Sequence, residues 1–432
     1  MTTPEKIAFI VGATIVAGTA VYVVVRETPV ETVSPTGLVL SITPTNLSRV
    51  VISWQQDTNS LDQLQTLSPA ASWTLANATS SPAILSAIQP SQFFRLFRNP
   101  PPITRKVIVM LVNFSDDTSE PWTTNEIAHA LFTASNSVST FYLENSYGKL
   151  AFAGDVVGWF TIPFTATNCA RNYLNWMEAA NEAATQSGVS LADYEHRIFI
   201  LNRTSTCPFT GNGSTGPWVW TGGQASGWVI GAGAGGNSWL FAHELGHNLG
   251  LKHARSIDCR TAQIAPYSSC TISELGDRTD VMGWVPSRAH FNAPHKIALN
   301  WITTSQVQTV TTNGMYAITP LENHDLKLKA LKILKPDTIE SYYISYRQPI
   351  GFDSLLNSNL TAGASIHIWD GLSPAQTKMI DTTPGDTNMF NAALSDNTAF
   401  SDNVNGIQIT QISHNQASCV LNVSFAPGTE SK

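Results

Sequence analysis

Five residues in the stretch 238–255, SWLFAHELGHNLGLKHAR, stand at offsets that can do chemistry: His243, Glu244, His247, Gly250 and His253. The pattern is H-E-x-x-H-x-x-G-x-x-H. On a helix, His243 and His247 fall one turn apart on one face. Two imidazoles so placed can hold one Zn²⁺. Gly250 tolerates the backbone geometry that ends a helix and turns the chain, so His253 can arrive as a third ligand. Three neutral ligands leave a fourth position for water, which marks a catalytic zinc rather than a structural one. Glu244, beside the first ligand, is placed to take that water's proton. Histidine is scarce, 10 of 432 residues, so three at these offsets with a glutamate and a glycine between them is far from a chance pattern. The plain alternative is a buried helix with core histidines. Phe241, Leu245 and Leu249 do form an i, i+4, i+8 apolar stripe on the opposite face, which is the packing that a metal helix also needs.

The elements that must position these residues run from residue 100 to 302. Residues 107–114 (VIVMLVNF) read as a strand buried on both faces. Thr123 with Glu126 makes a capping box for a helix continued by Ile127, Ala130 and Leu131. Val138, Phe141 and Tyr142 mark a second helix, residues 150–162 a strand, 173–186 a long helix and 197–202 (RIFILN) another strand. The alternation predicts a mixed α/β lobe. Residues 210–236 are rich in Gly, Ser and Trp. Within them Trp228, Val229, Ile230 and Gly231 are expected to form a strand above the cleft that pairs with an extended peptide; an ordinary loop is the alternative.

After His253 come Gly276-Asp277, Asp280-Val281-Met282-Gly283 and Phe291-Asn292-Ala293-Pro294-His295. A zinc helix of this pattern followed some 30 residues later by a methionine-bearing turn resembles the metzincin zinc proteases. These signatures, with the Ser146-Tyr147-Gly148 turn and the 107–114 strand, resemble the gametolysin branch over roughly residues 106–301. The resemblance implies His243, His247 and His253 as ligands, Glu244 as general base and Met282 as a floor beneath the imidazoles, packing without ligating. Trp284 stands where some metzincin branches carry a tyrosine near the metal, so no fifth protein ligand is expected. No cysteine precedes Cys169, so a cysteine-switch pro-segment cannot operate. Asp277 and Asp280 are expected to cap backbone amides of the turn. His290 and His295 read as hydrogen-bonding residues rather than catalytic ones.

The flanks differ in style. Residues 7–25 carry no charge and are long enough to cross a bilayer as a helix, so residues 1–26 read as a signal peptide or a membrane anchor. Residues 27–99 are a linker and a small β module, with runs such as VVISW and QFFRLF, that could serve as a pro-segment. Residues 303–432 show recurring strand-like runs and predict a β-sandwich. The expected fold is thus an α/β (α+β) metzincin-type catalytic domain between a small N-terminal β module and a C-terminal β-sandwich. Asp381, Asp386, Asp396 and Asp402 sit in oxygen-rich loops of the kind that can hold Ca²⁺, though most such loops are solvated turns. Cys259 and Cys270 are the first disulfide pair to expect and Cys169 with Cys207 the second, leaving Cys419 over.

A net charge of −7 with only 13% charged residues gives no basic patch, which argues against nucleic acid as a partner. The leading expectation is an exported, secreted or membrane-tethered zinc endopeptidase acting on extended protein or peptide substrates. Two alternatives are a zinc hydrolase of a non-protein amide and a non-catalytic surface adhesion protein. An intact Glu244 speaks against the latter.

Overall fold

A computed structural model describes residues 102–167, 171–202, 211–215, 239–284, 286 and 288–426 in full; within 9–99, and at 169–170, 227–232 and 238, it describes the backbone of strands and helices alone. The chain divides into two compact units, Met1–Ile103 and Thr104–Lys432.

The described elements of the first unit are all strands. Phe9–Thr14 and Ala20–Val25 pair antiparallel, and Phe93–Asn99, Leu61–Leu67 and Trp73–Leu75 extend them into a five-stranded sheet. Leu40–Asn46, Arg49–Trp54 and Ala83–Ser86 form a second, three-stranded sheet. Residues 7–25 therefore contain a pair of strands, not the single bilayer-length helix expected. An apolar run does not itself choose between helix and strand, and valine and tyrosine fill five of the six positions of Ala20–Val25, favouring the strand. Among the described residues, no helix is long and apolar enough to cross a membrane.

The second unit begins with a sheet ordered Leu150–Ile162, Ile103–Phe114, His196–Leu201, Gly227–Ala232 and Gly211–Gly213. His196–Leu201 runs parallel to both of its neighbours, while Gly211–Gly213 lies antiparallel at the edge. The VIVMLVNF run is buried on both faces, as expected, and the strand's period of two divides it cleanly. Val107, Val109 and Leu111 face the core beneath the metal-motif helix; Ile108, Met110 and Val112 face the helix Cys169–Gln186 through Trp176, Met177 and Ala180. Thr123 and Glu126 make the expected capping box at the start of the helix Thr124–Ala128.

Beyond the site the chain builds a seven-stranded sheet ordered Thr271–Ser273, Leu251–Asp258, Ala375–Ile380, Ala364–Trp369, Ser341–Tyr346, Ala330–Leu334 and Val307–Thr309. A four-stranded sheet of Gly314–Ile318, Ser418–Phe425, Ile407–Asn415 and Ala399–Asp402 shares one core with it, through Ile344, Ile366, Phe400, Ile409 and Leu421. The larger of these two sheets includes Leu251–Asp258, the strand that carries His253, beside strands from the region expected to form a sandwich after residue 303. The other face of that sheet joins the catalytic core through Leu251, Ala254, Tyr343 and Ala375. The sheet thus runs straight across the expected boundary at 302/303.

Polar groups fix the methionine-bearing turn between these layers. Asp277 Oδ1 accepts from Thr279 N at 2.7 Å, and its Oδ2 from Asn292 Nδ2 at 3.1 Å and His367 Nε2 at 3.0 Å. Asp280 Oδ1 accepts from Met282 N at 2.6 Å, and its Oδ2 from Asn292 N at 2.7 Å and His295 Nδ1 at 2.8 Å. From the sandwich, Arg347 Nη1 donates to Thr279 O at 2.8 Å and binds Glu322 and Asp353. All of these carboxylates are buried and multiply partnered, the condition under which a buried charge is tolerated.

Burial alone would raise the Asp277 carboxyl, but His367 and the Thr279 donors outweigh it and hold the group below the usual carboxylate range. A carboxylate lowered in the folded state contributes stability that is complete above its unfolded value near 4 and is lost as pH falls through the lower folded value. Asp277→Asn is therefore expected to cost about 2–3 kcal/mol at pH 7. In urea unfolding at pH 7 and pH 3, the gap between wild type and variant narrows in acid; a gap independent of pH would contradict this assignment.

Candidate metal centre

The metal-motif helix runs Ser238–Asn248. Its apolar stripe is where the sequence puts it: Phe241 and Leu245 are fully buried, each worth about 2 kcal/mol of transfer free energy, and Leu249 packs partly buried against the same core. Polar contacts fix the helix along its length. Tyr142 Oη donates to Ala242 O at 2.6 Å, and Asn248 bridges His196 Nδ1 at 3.0 Å and Ser214 O at 3.0 Å. Gly250, at φ +95°, ends the helix in the left-handed region and the chain enters the strand Leu251–Asp258 at once. His253 accordingly sits on a strand.

The three imidazoles converge. Ring centroids of His243, His247 and His253 lie 4.9 to 5.2 Å apart, and one ligand nitrogen from each falls within 4.8 Å of the others. Each Nδ1 faces an oxygen: Val281 O at 2.8 Å for His243, Leu251 O at 2.7 Å for His247 and Glu274 Oε1 at 3.1 Å for His253. A carbonyl or carboxylate can only accept, so each Nδ1 carries the proton and each Nε2 offers a lone pair. Burial, with the neighbouring His247 imidazole, pushes His243 down to about 3, and burial pushes His247 down to about 4. Both rings are thus neutral and ready to bind. Three imidazoles whose Nδ1 atoms are taken up by oxygens, leaving Nε2 as the ligand atom, fit a divalent zinc-like cation well.

Met282, the residue expected beneath the imidazoles, is buried against the helix at Gly246. A Cβ on Gly246 would come within 2.4 Å of Met282 Sδ, so any larger residue there would have to displace the Met282 side chain. Glu244 is 4% exposed, and burial raises its carboxyl to about 8. With His247 and His253 it faces a cleft of about 390 Å³, which Lys252, Glu274 and Gln376 also line. Trp284 lies under the Arg278 guanidinium, 3.8 Å from its ring centroid. His290 and His295 are buried: His290 Nε2 reaches Glu144 Oε1 at 2.7 Å, and His295 serves Asp280. Neither is among the residues lining the cleft.

The peptide-pairing strand needs correction. Residues 227–232 pair on one side with His196–Leu201, and Val229, Ile230 and Gly231 pair on the other with Gly213, Asn212 and Gly211, so the strand that Trp228, Val229, Ile230 and Gly231 belong to is interior to the sheet, not its edge. Gly211–Gly213 is the edge strand and lines the cleft. Apolar residues drew 228–231 into the sheet interior, and a strand poor in side chains took the rim. A glycine at every second position of a strand is the mark of a close backbone approach, and it could have been read from Gly211-Asn212-Gly213. A Cβ on Gly211 would lie 2.6 Å from Glu244 Oε1, and one on Gly213 3.0 Å from Glu244 Oε2 and 2.6 Å from the Glu244 carbonyl oxygen.

Cys259 and Cys270 form the expected disulfide, and Cys419 is free and buried. The Cys169–Cys207 pairing lies outside the described residues. The four acidic loop residues each hold a local turn or partner: Asp381 accepts from Thr383, Asp386 from Asn388, Asp396 from His414 and Asp402 from Tyr342. Among the described residues, no acidic trio converges as the histidines do.

The three converging imidazoles could hold one metal ion beside a cleft. The chain belongs to the gametolysin peptidase M11 family, a metallopeptidase family, whose model matches residues 106–382. The match passes residue 302 and ends two residues beyond the strand Ala375–Ile380, the sheet neighbour of the His253 strand. No curated protein matches the chain. Membership implies a bound metal and protein or peptide substrates.

Gly211→Ala is expected to displace the Glu244 carboxylate while sparing the ligands. Peptide cleavage should fall by about 10²-fold, the scale of an ångström-sized misplacement, with metal content unchanged. Turnover equal to wild type would show that the close approach has no functional role.

Proposed function

We propose that the protein is an exported zinc endopeptidase of the metzincin type. The observation that carries this reading is the convergence of three imidazoles, each with its Nδ1 proton committed, beside a buried glutamate that opens on a cleft. When bound by His243, His247 and His253, zinc supplies Lewis acidity, polarising the scissile carbonyl and lowering the pKa of water.

The chain's own groups do the rest. Among the described residues Gly211–Gly213 is the edge strand of its sheet, and an extended peptide would pair with it along the cleft. A cation at the three imidazoles would favour the ionised form of the Glu244 carboxyl, which burial alone raises to about 8, so that it would take a proton from the attacking water on one carboxylate oxygen and later deliver it to the leaving amine nitrogen, the amine departing neutral. Its buried site keeps competing solvent away from that exchange. Met282 keeps the floor of the site apolar.

Two features support export: a disulfide persists in an oxidising compartment, and residues 1–26 have the apolar composition of a leader or tether. The β module that follows is suited to act as a pro-segment or an accessory domain.

Glu244→Ala is expected to retain one zinc per chain by metal analysis and to lower kcat/KM on a quenched peptide library by at least about 10²- to 10⁴-fold. Chelation should silence the wild type and zinc restore it. Undiminished cleavage by the variant would remove Glu244 from the mechanism, while wild-type protein that holds zinc but cleaves no peptide would favour the hydrolase of a non-protein amide.

A further inference from the structure

Two of the three ligands take their orientation from buried backbone. Val281 O and Leu251 O are fixed by the fold itself, and no side-chain change removes them. His253 differs, because its Nδ1 faces a side chain, Glu274 Oε1, at 3.1 Å, and that side chain is 51% exposed.

Strand register explains how Glu274 arrives there. Leu251–Asp258 and Thr271–Ser273 pair antiparallel with Ser256 opposite Ser273 and Asp258 opposite Thr271. Continuing that register by one residue sets Arg255 opposite Glu274, and Arg255 Nη2 meets Glu274 Oε2 at 2.5 Å. His253, two residues before Arg255 on the same strand and next to an irregularity in its pairing, turns its Nδ1 to the same carboxylate. One carboxylate thereby serves both, one oxygen to each. The Cys259–Cys270 bond closes the loop just beyond the last pair. On the other side the chain folds straight back: a Cβ on Gly276 would lie 1.9 Å from Ser256 Oγ. Glu274 is thus held from both ends of a short, cross-linked hairpin.

As a partly exposed ion pair, Arg255–Glu274 adds little to stability. Its consequence lies in geometry. We propose that Glu274 is a positioning residue for the metal: it fixes the tautomer and ring orientation of His253, and the disulfide-closed hairpin, by holding Glu274, sets how tightly the third ligand binds. This rests on the zinc reading above. The affinity of the centre is then adjustable from the protein surface, through one carboxylate and one disulfide, without change to the helix or the methionine-bearing turn.

The test uses the full chain, with zinc affinity measured by competition against a chromophoric chelator and ligand geometry by the visible spectrum of the Co²⁺-substituted protein. Glu274→Ala is expected to weaken zinc binding by about 10- to 100-fold and to shift the Co²⁺ bands. Glu274→Gln, which keeps an acceptor for Nδ1–H, should recover most of both, and a Cys259→Ser/Cys270→Ser double variant should weaken binding in the same direction as Glu274→Ala. If the wild type binds zinc and Glu274→Ala binds it equally, with an unchanged Co²⁺ spectrum, Glu274 has no positioning role and the zinc reading stands. If the wild type binds no zinc, both fall.

Discussion

An imidazole presents a lone pair in a defined direction only when the proton on its other nitrogen has somewhere to go. In this protein that requirement is met three times, by oxygens from three different parts of the chain. Val281 O belongs to the methionine-bearing turn, Leu251 O to the exit of the helix, and Glu274 to a hairpin closed by a disulfide. The metal motif supplies the rings. The surrounding fold aims them, and everything catalytic follows from that aim.

Aiming to within a fraction of an ångström requires rigid support, and the support comes from burial on two sides of one sheet. The strand that carries His253 lies in a seven-stranded sheet with one face on the catalytic core and the other on a four-stranded sheet. Arg347 and His367, from later strands of that sheet and its margin, reach back to hold Thr279 and Asp277. Asp277 and Asp280 in turn fix the backbone from which Val281 O points at His243. The later strands are therefore part of the metal site's foundation, which gives a physical reason for the family match to run through residue 382.

Legibility from the sequence followed the range of the interactions involved. The convergence of the three histidines, the glutamate beside them, the glycine at the helix end and the apolar stripe are set by helical period and by glycine's freedom at positive φ, so residue offsets revealed them. The capping roles of Asp277 and Asp280 and the Cys259–Cys270 bond were legible for the same reason, being local. What was hidden depends on pairing between distant segments. The order of strands could not be read from residues 228–231, whose apolar character suits an interior strand and an edge strand equally. The union of the His253 strand with Ala375–Ile380 spans more than a hundred residues and leaves no local mark. The helix expected over residues 7–25 failed because an uninterrupted apolar run carries no period at all.

The most direct test is X-ray absorption at the zinc edge on the purified, zinc-loaded chain. The arrangement of the three rings predicts a first shell of three imidazole nitrogens at about 2.0–2.1 Å with one further light atom and no sulfur. A shell containing sulfur, fewer than three imidazoles, or no stoichiometric zinc would contradict it, because His243, His247 and His253 would then not meet at one ion.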